Sequence, residues 1–165
     1  MSYTIGFAGP EDETGLQEIF QASEMDLAGE IQEHIVIKQG DRLIGGGMLT
    51  QTAPDSYHLI VFAISGAERT RGLGRLLLQQ LLERPWDYCC AGSVPCGNSY
   101  CITTVAKGTS AGFYAKNGFL PCTFSDLYPP FHDQCQVCPD QHDCKPVAMQ
   151  CSRELSQPAQ AGAPA

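Results

Sequence analysis

Apolar residues along the chain switch between two spacings, and the switches mark its elements. Thr4-Ile5-Gly6-Phe7 reads as a short strand. Pro10 suits the first turn of a helix, and Glu11, Asp12 and Glu13 complement its positive end. Leu16, Ile19 and Phe20 then recur at i, i+3 and i+4 as an apolar face. Residues 34–38 and 42–44 flank Gln39-Gly40-Asp41 as a hairpin, whose second strand continues through Gly45-Gly46-Gly47 to Thr50. Pro54 and Asp55 break that strand. Residues 57–64 form a continuous apolar run, the pattern of a strand buried on both faces.

A helix follows, with Leu73, Leu76, Leu77 and Leu81 at helical spacing, and Pro85 ends it. Cys101-Ile-Thr-Thr-Val105 is a β-branched strand, Ser110 to Asn117 a short helix closed by Gly118, and Phe119 to Phe124 a last strand. Beyond Ser125 the periodicity stops. The segment 126–151 is rich in Pro and Cys, and the end of the chain reads as a flexible tail. The order is strand, helix, three strands, helix, strand, helix, strand. It predicts a mixed α/β sheet with an antiparallel first half and βαβ crossovers in the second.

Composition narrows the function. At 165 residues there is room for one core of ordinary size. No apolar run approaches the roughly 20 residues that span a bilayer, so no membrane partner is expected. The first residues carry neither a basic cluster nor a long apolar stretch, which points to a cytoplasmic protein. A net charge of −8 repels phosphate backbones, argues against nucleic acid and favours amine-bearing partners.

The sharpest local signal is Arg69-x-x-Gly72-x-Gly74 between the buried strand and the leucine helix. A glycine turn at a helix start lets backbone N–H groups approach an anion, and Arg69, Arg71 and Arg75 add positive charge. A Rossmann fingerprint fails because Leu77 stands where the third glycine belongs, and no P-loop Gly-Lys-Ser/Thr exists. Strand, turn and helix together resemble the acetyl-CoA motif of the GNAT superfamily of N-acetyltransferases. About 30 residues further on, Thr103-Thr104-Val105-Ala106-Lys107-Gly108-Thr109-Ser110-Ala111-Gly112-Phe113-Tyr114-Ala115-Lys116-Asn117-Gly118-Phe119 resembles that family's second signature.

The resemblance covers about residues 3–124. It implies an α/β (α+β) fold with a mostly antiparallel central sheet, flanking helices and a splayed cofactor strand. It divides the chain into an acetyltransferase-like domain (1–125), a Cys-rich extension (126–152) and a tail (153–165). The implied function is transfer of acetyl from acetyl-CoA directly to a primary amine of a small molecule or protein. The alternative is an idle acyl-CoA-binding or metal-dependent sensor on the same scaffold. Carried over by position, the pyrophosphate lies on the backbone of Thr70, Arg71, Gly72, Leu73, Gly74 and Arg75, with Arg69 opening the turn. The pantetheine arm pairs with the backbone of Phe62, Ala63 and Ile64. Tyr114 takes the place of the proton donor to the departing thiolate. His58 stands where many relatives carry a Glu base, with Glu33 as the second candidate. A homodimer is left open.

Nine cysteines are an odd number, so a closed disulfide framework would leave one thiol over. Cys89, Cys90, Cys96 and Cys101 form one group, and an acyl-cysteine route through Cys89 or Cys90 is the less ordinary alternative to direct transfer. Cys135-x2-Cys138-x5-Cys144-x6-Cys151 supplies four candidate ligands for a structural zinc ion, with His132 and His142 as substitutes. Free thiols, a disulfide or an iron–sulfur cluster are the other readings of that set.

Overall fold

The computed structural model describes residues 2–69, 71–133 and 145–155. Its seven strands are β1 (Thr4–Phe7), β2 (Ile35–Gln39), β3 (Arg42–Ala53), β4 (Ser56–Ile64), β5 (Ser99–Ala106), β6 (Leu120–Pro121) and β7 (Val147–Glu154). They form one sheet in the order β1-β2-β3-β4-β5-β7-β6. Every neighbouring pair is antiparallel except β4 and β5, which are parallel. A parallel pair needs a crossover, and helix α2 (Leu73–Glu83) provides it.

Alternation along the strands sorts side chains between two cores. Helix α1 (Glu13–Ala22) lays Leu16 and Phe20 against Val36, Met48, Val61 and Ala63 on one face. On the other face, α2 and helix α3 (Ala111–Lys116) bury Leu77, Leu81 and Tyr114 against Ile35, Ile37, Leu49, Tyr57, Leu59 and Ile102. Among the described residues no helix is long and apolar enough to cross a membrane.

One irregularity in β4 shapes the middle of the sheet. Leu59 pairs with Leu49 of β3, and Val61 with Met48, so Ile60 is an extra residue with no opposite number. Such a β-bulge kinks its strand and adds twist. It also reverses the sense of alternation. Tyr57 and Leu59 belong to the α2 core, but Val61 and Ala63 belong to the α1 core. On the side facing β5, the ladder covers only Ser56 to Leu59 against Cys101 to Thr104. From Ile60 onward β4 leaves its neighbour, and the two strands form a wedge.

The end of the chain differs from the sequence expectation. The expected strand at 119–124 is reduced to the two residues of β6, and regular structure does not stop near Ser125. β7 instead pairs with β5 along all eight of its residues and lies between β5 and β6. Val147, Ala148, Met149 and Cys151 supply enough apolar surface for a central strand, with Ala148, Met149 and Cys151 buried. The α3 crossover therefore leads from β5 to β6 with β7 inserted between them.

Candidate active site

The wedge between β4 and β5 opens into a cavity of about 500 Å³, within the range of small-molecule sites. Residues 60–64 of β4 form one wall and Thr104 to Lys107 the other. Phe113 and Tyr114 of α3 close it from one side, and the end of α1 from the other.

The bulge also sets which backbone groups face this space. The carbonyls of Val61 and Ala63 face β3, lying 2.7 and 2.5 Å from where a Cβ on Gly47 and Gly45 would stand. Backbone polar groups alternate along a strand, so those of Phe62 and Ile64 point into the wedge. The Ile64 carbonyl already accepts a bond from Arg69 Nε at 3.2 Å. Phe62 is left with both its N–H and its C=O directed at the cavity. Of the three residues expected to pair with a ligand arm, Phe62 presents its backbone, Ala63 faces β3, and the Ile64 carbonyl is engaged.

The glycine turn lies at the wide end. Gly72 precedes α2 at φ +78°, a conformation that glycine adopts without strain, and among the described residues no side chain caps the helix. The first-turn amides of Leu73, Gly74 and Arg75 therefore lack intrahelical partners. Gly74 lines the cavity, and a Cβ there would meet Ile64 and Phe113 at 3.4 and 3.5 Å. The three arginines divide. Arg69 is spent on Ile64 and on Ser23 Oγ at 2.8 Å. Arg71 bonds the buried Glu68 carboxylate at 2.9 Å. Arg42 bonds its other oxygen, and that hydrogen bond is first among the causes that hold Glu68 below the usual carboxylate range. Arg75 is exposed. Thr70 lies outside the described residues.

Tyr114 is 6% exposed and lines the cavity. The rings of Phe113 and Phe119 stand edge-on to it with centroids 5.3 Å away. Burial raises its pKa well above the ordinary tyrosine value, so the hydroxyl keeps its proton. Such a group can only be a proton donor at neutral pH.

His58 is placed differently from its expected role. It is 1% exposed, Phe131 stacks on it at 3.9 Å, and its Nδ1 is 2.7 Å from Thr103 Oγ1. Desolvation lowers its pKa to about 4, so it is not poised near neutral pH as a free imidazole would be. It is absent from the cavity wall. Glu33 also lies off the wall, where its carboxylate accepts from the Glu30 N–H at 2.8 Å and closes a turn. Burial pushes the Cys89 thiol up to about 12 and raises Cys90 and Cys101, which disfavours a thiolate nucleophile at any of them. Cys151 is a buried core residue of β7, while Cys135, Cys138, Cys144 and His142 lie outside the described residues. Among the described residues no group of three or more His, Cys, Asp or Glu could hold a metal ion.

Among the wall residues, Lys107, Ser23 and Glu24 had no functional reading in the sequence. Lys107 Nζ bonds the Ser23 carbonyl and pairs with Glu24 at 3.1 Å, so it ties the end of α1 across the mouth of the wedge. Lys107 stood inside the second motif and could have been singled out; nothing local marked Ser23 or Glu24.

A family model described as an acetyltransferase (GNAT) domain matches residues 30–121, more than half of the chain. The chain belongs to the GNAT acetyltransferase family. The match takes in the bulged strand, the glycine turn and Tyr114. Solved structures share the fold at low sequence identity. N-acetylglutamate synthase from Neisseria gonorrhoeae, complexed with coenzyme A and N-acetyl-glutamate, superposes with a TM-score of 0.70 at 14% identity. That match covers 94% of this chain and 36% of the synthase, so the chain spans about a third of that protein's length. Ard1 from Thermoplasma volcanium matches at 0.64 and 15%, over 94% of this chain and 99% of its own. The ribosomal-protein-S18-alanine N-acetyltransferase from Escherichia coli matches at 0.58 and 17%, over 94% and 95%. No curated protein matches in sequence.

The GNAT cofactor, acetyl-CoA, fits the residues present. Phe62 offers an unpaired strand edge, the α2 amides offer donors to a pyrophosphate, and the missing Cβ of Gly74 leaves room beside them. Replacing Gly74 with valine should fill that space, removing acetyl-CoA binding in calorimetry while circular dichroism stays unchanged; normal affinity in the folded variant would contradict the placement.

Burial of His58 has a stability consequence. Between pH about 6.5 and about 4 the unfolded chain takes up a proton at His58 that the folded chain refuses. Stability should therefore fall as pH drops through this window, with His58 contributing about 3 kcal/mol in total. Denaturant titrations across the window should show a shallower fall for His58→Gln; equal slopes would mean the ring is solvated.

Proposed function

We propose that the chain transfers acetyl from acetyl-CoA to a primary amine, directly and without a covalent enzyme intermediate. One observation carries this reading: a buried, protonated Tyr114 hydroxyl on the wall of the wedge that exposes the Phe62 backbone. When bound, acetyl-CoA supplies the activated acetyl thioester. Phe62 holds the extended arm through its N–H and C=O, and the amides of Leu73, Gly74 and Arg75 hold the pyrophosphate. Tyr114 Oη donates its proton to the thiolate that departs. The ordinary thiol pKa of about 8.5 lies below that of the buried tyrosine. The proton therefore shifts to sulfur only as negative charge builds on it in the water-poor wedge, where desolvation raises the thiol as well.

The chain's own contribution to amine deprotonation is small on this reading. His58 is covered and weakly basic, so the acceptor loses its proton to water as it enters. The acidic surface, with net charge −8, concentrates cationic amines around the protein. The names of the fold relatives span an amino acid and a ribosomal-protein alanine, which sets the range of acceptors worth testing.

The test is release of free CoA across amino acids, polyamines and peptides with free N-termini. At least one class should be turned over, and Tyr114→Phe should lower kcat by about 10²-fold with acetyl-CoA affinity nearly unchanged. Absence of release with every amine would leave an idle acyl-CoA-binding domain, and full activity of Tyr114→Phe would return the ring to packing.

A further inference from the structure

Helix α3 carries Phe113 and Tyr114 into the wall of the wedge, yet it has only six residues. A helix this short has little stability of its own, and among the described residues no side chain caps its N-terminus. Its other end is fastened. Asn117, 6% exposed, caps the C-terminus, where its backbone N–H donates to the Tyr114 carbonyl at 3.0 Å. Its Nδ2 donates to the Phe113 carbonyl at 2.8 Å. Asn117 Oδ1 in turn accepts from Gln79 Nε2 of α2 at 3.0 Å, and Gln79 Oε1 accepts from Arg153 Nη2 of β7 at 2.8 Å. A guanidinium only donates, so Arg153 draws the Gln79 oxygen toward itself. That leaves the Gln79 nitrogen for the Asn117 oxygen, and the Asn117 nitrogen for the Phe113 carbonyl. Each link fixes the orientation of the next.

We propose that Asn117 is a positioning residue for the Tyr114 acid, with Gln79 as the link that ties it to the cofactor-binding helix. This rests on the reading of Tyr114 as proton donor. Helix α2 offers the amides of Leu73, Gly74 and Arg75 to the pyrophosphate at its start, and about a turn and a half beyond Gly74 it holds α3 through Gln79. At the near end, Gly74 packs on the Phe113 ring. The two helices are thus joined at both ends of α3, by packing at one and by side-chain amides at the other. A cofactor anchored on α2 therefore meets the Tyr114 hydroxyl at a set place, and transfer of a proton is sensitive to displacements of about 1 Å. Arg153, on a strand that lies between β5 and β6, keys the whole chain of amides from the far side.

A double-mutant cycle with a pH profile tests this, with kcat and the acetyl-CoA KM measured on the best amine from the release panel. Asn117→Ala should lower kcat about tenfold with KM within about twofold. In a Tyr114→Phe background the same change should cost less than about twofold, because the group it positions is gone. Asn117→Asp keeps the acceptor for Gln79 but sets a second acceptor against the Phe113 carbonyl. At neutral pH it should be as impaired as Asn117→Ala. Its kcat relative to the unchanged protein at the same pH should rise severalfold toward acid pH, as the buried carboxyl takes a proton and the donor returns. Should Asn117→Ala not fold, Gln79→Leu, which breaks the link from the α2 side, completes the same cycle. Near-normal kcat, an undiminished loss in the Tyr114→Phe background, or an Asn117→Asp ratio that stays flat with pH would each overturn the proposal. A fall with Tyr114→Phe but none with Asn117→Ala refutes the role of Asn117 alone. Full activity of Tyr114→Phe refutes the acid reading beneath it.

Discussion

One residue too many in β4 governs this protein. Because Ile60 has no partner on β3, every later position of the strand is rotated relative to its neighbours. Val61 and Ala63 go to the α1 core although Tyr57 and Leu59 go to the α2 core. Their carbonyls face β3, and the polar groups of Phe62 and Ile64 face away from it. The parallel ladder to β5 ends at the residue before the bulge. A regular strand would have carried hydrogen bonds on to Ile64 and left no room for a ligand. The bulge converts the middle of a sheet into an internal edge, and an unpaired edge is where an extended molecule can add itself.

The chemistry at that edge comes from desolvation. Burial keeps a proton on Tyr114 and keeps one off His58, so one stays a neutral phenol and the other a neutral ring by the same cause acting on opposite charge types. The buried thiol of Cys89 stays protonated for the same reason. Charge at the glycine turn is largely used inside the protein. Glu68 is bracketed by Arg42 and Arg71, Arg69 ties β4 to the end of α1, and Lys107 ties that end to β5. The cations thus hold the walls of the wedge, and backbone amides are left to meet an anion.

Much of this was legible in the chain. The helix and strand periods placed α1, α2 and β2 to β5, and the glycine turn and the Tyr114 motif stood out by spacing. The bulge was not, because residues 57–64 are apolar on both faces and a reversal of alternation leaves no trace in such a run. β7 was hidden because its apolar residues come after a Cys- and Pro-rich stretch whose spacing suggests metal chemistry. The burial of His58 depends on Phe131, far along the chain, and no local pattern could report it. The commitments of Arg69 and Arg71 are likewise tertiary: their positions suggested an anion, and only the fold brought Ser23 and the Ile64 carbonyl to one and buried the Glu68 carboxylate between the other and Arg42.

The claim that the bulge exposes one backbone position to the cofactor is tested most directly by residue-resolved amide hydrogen exchange, with and without acetyl-CoA. Phe62, Leu73, Gly74 and Arg75 should slow on addition of acetyl-CoA, and Val61 and Ala63, already directed at β3, should not change. Protection spread equally over residues 61–63, or none at Phe62, would contradict it.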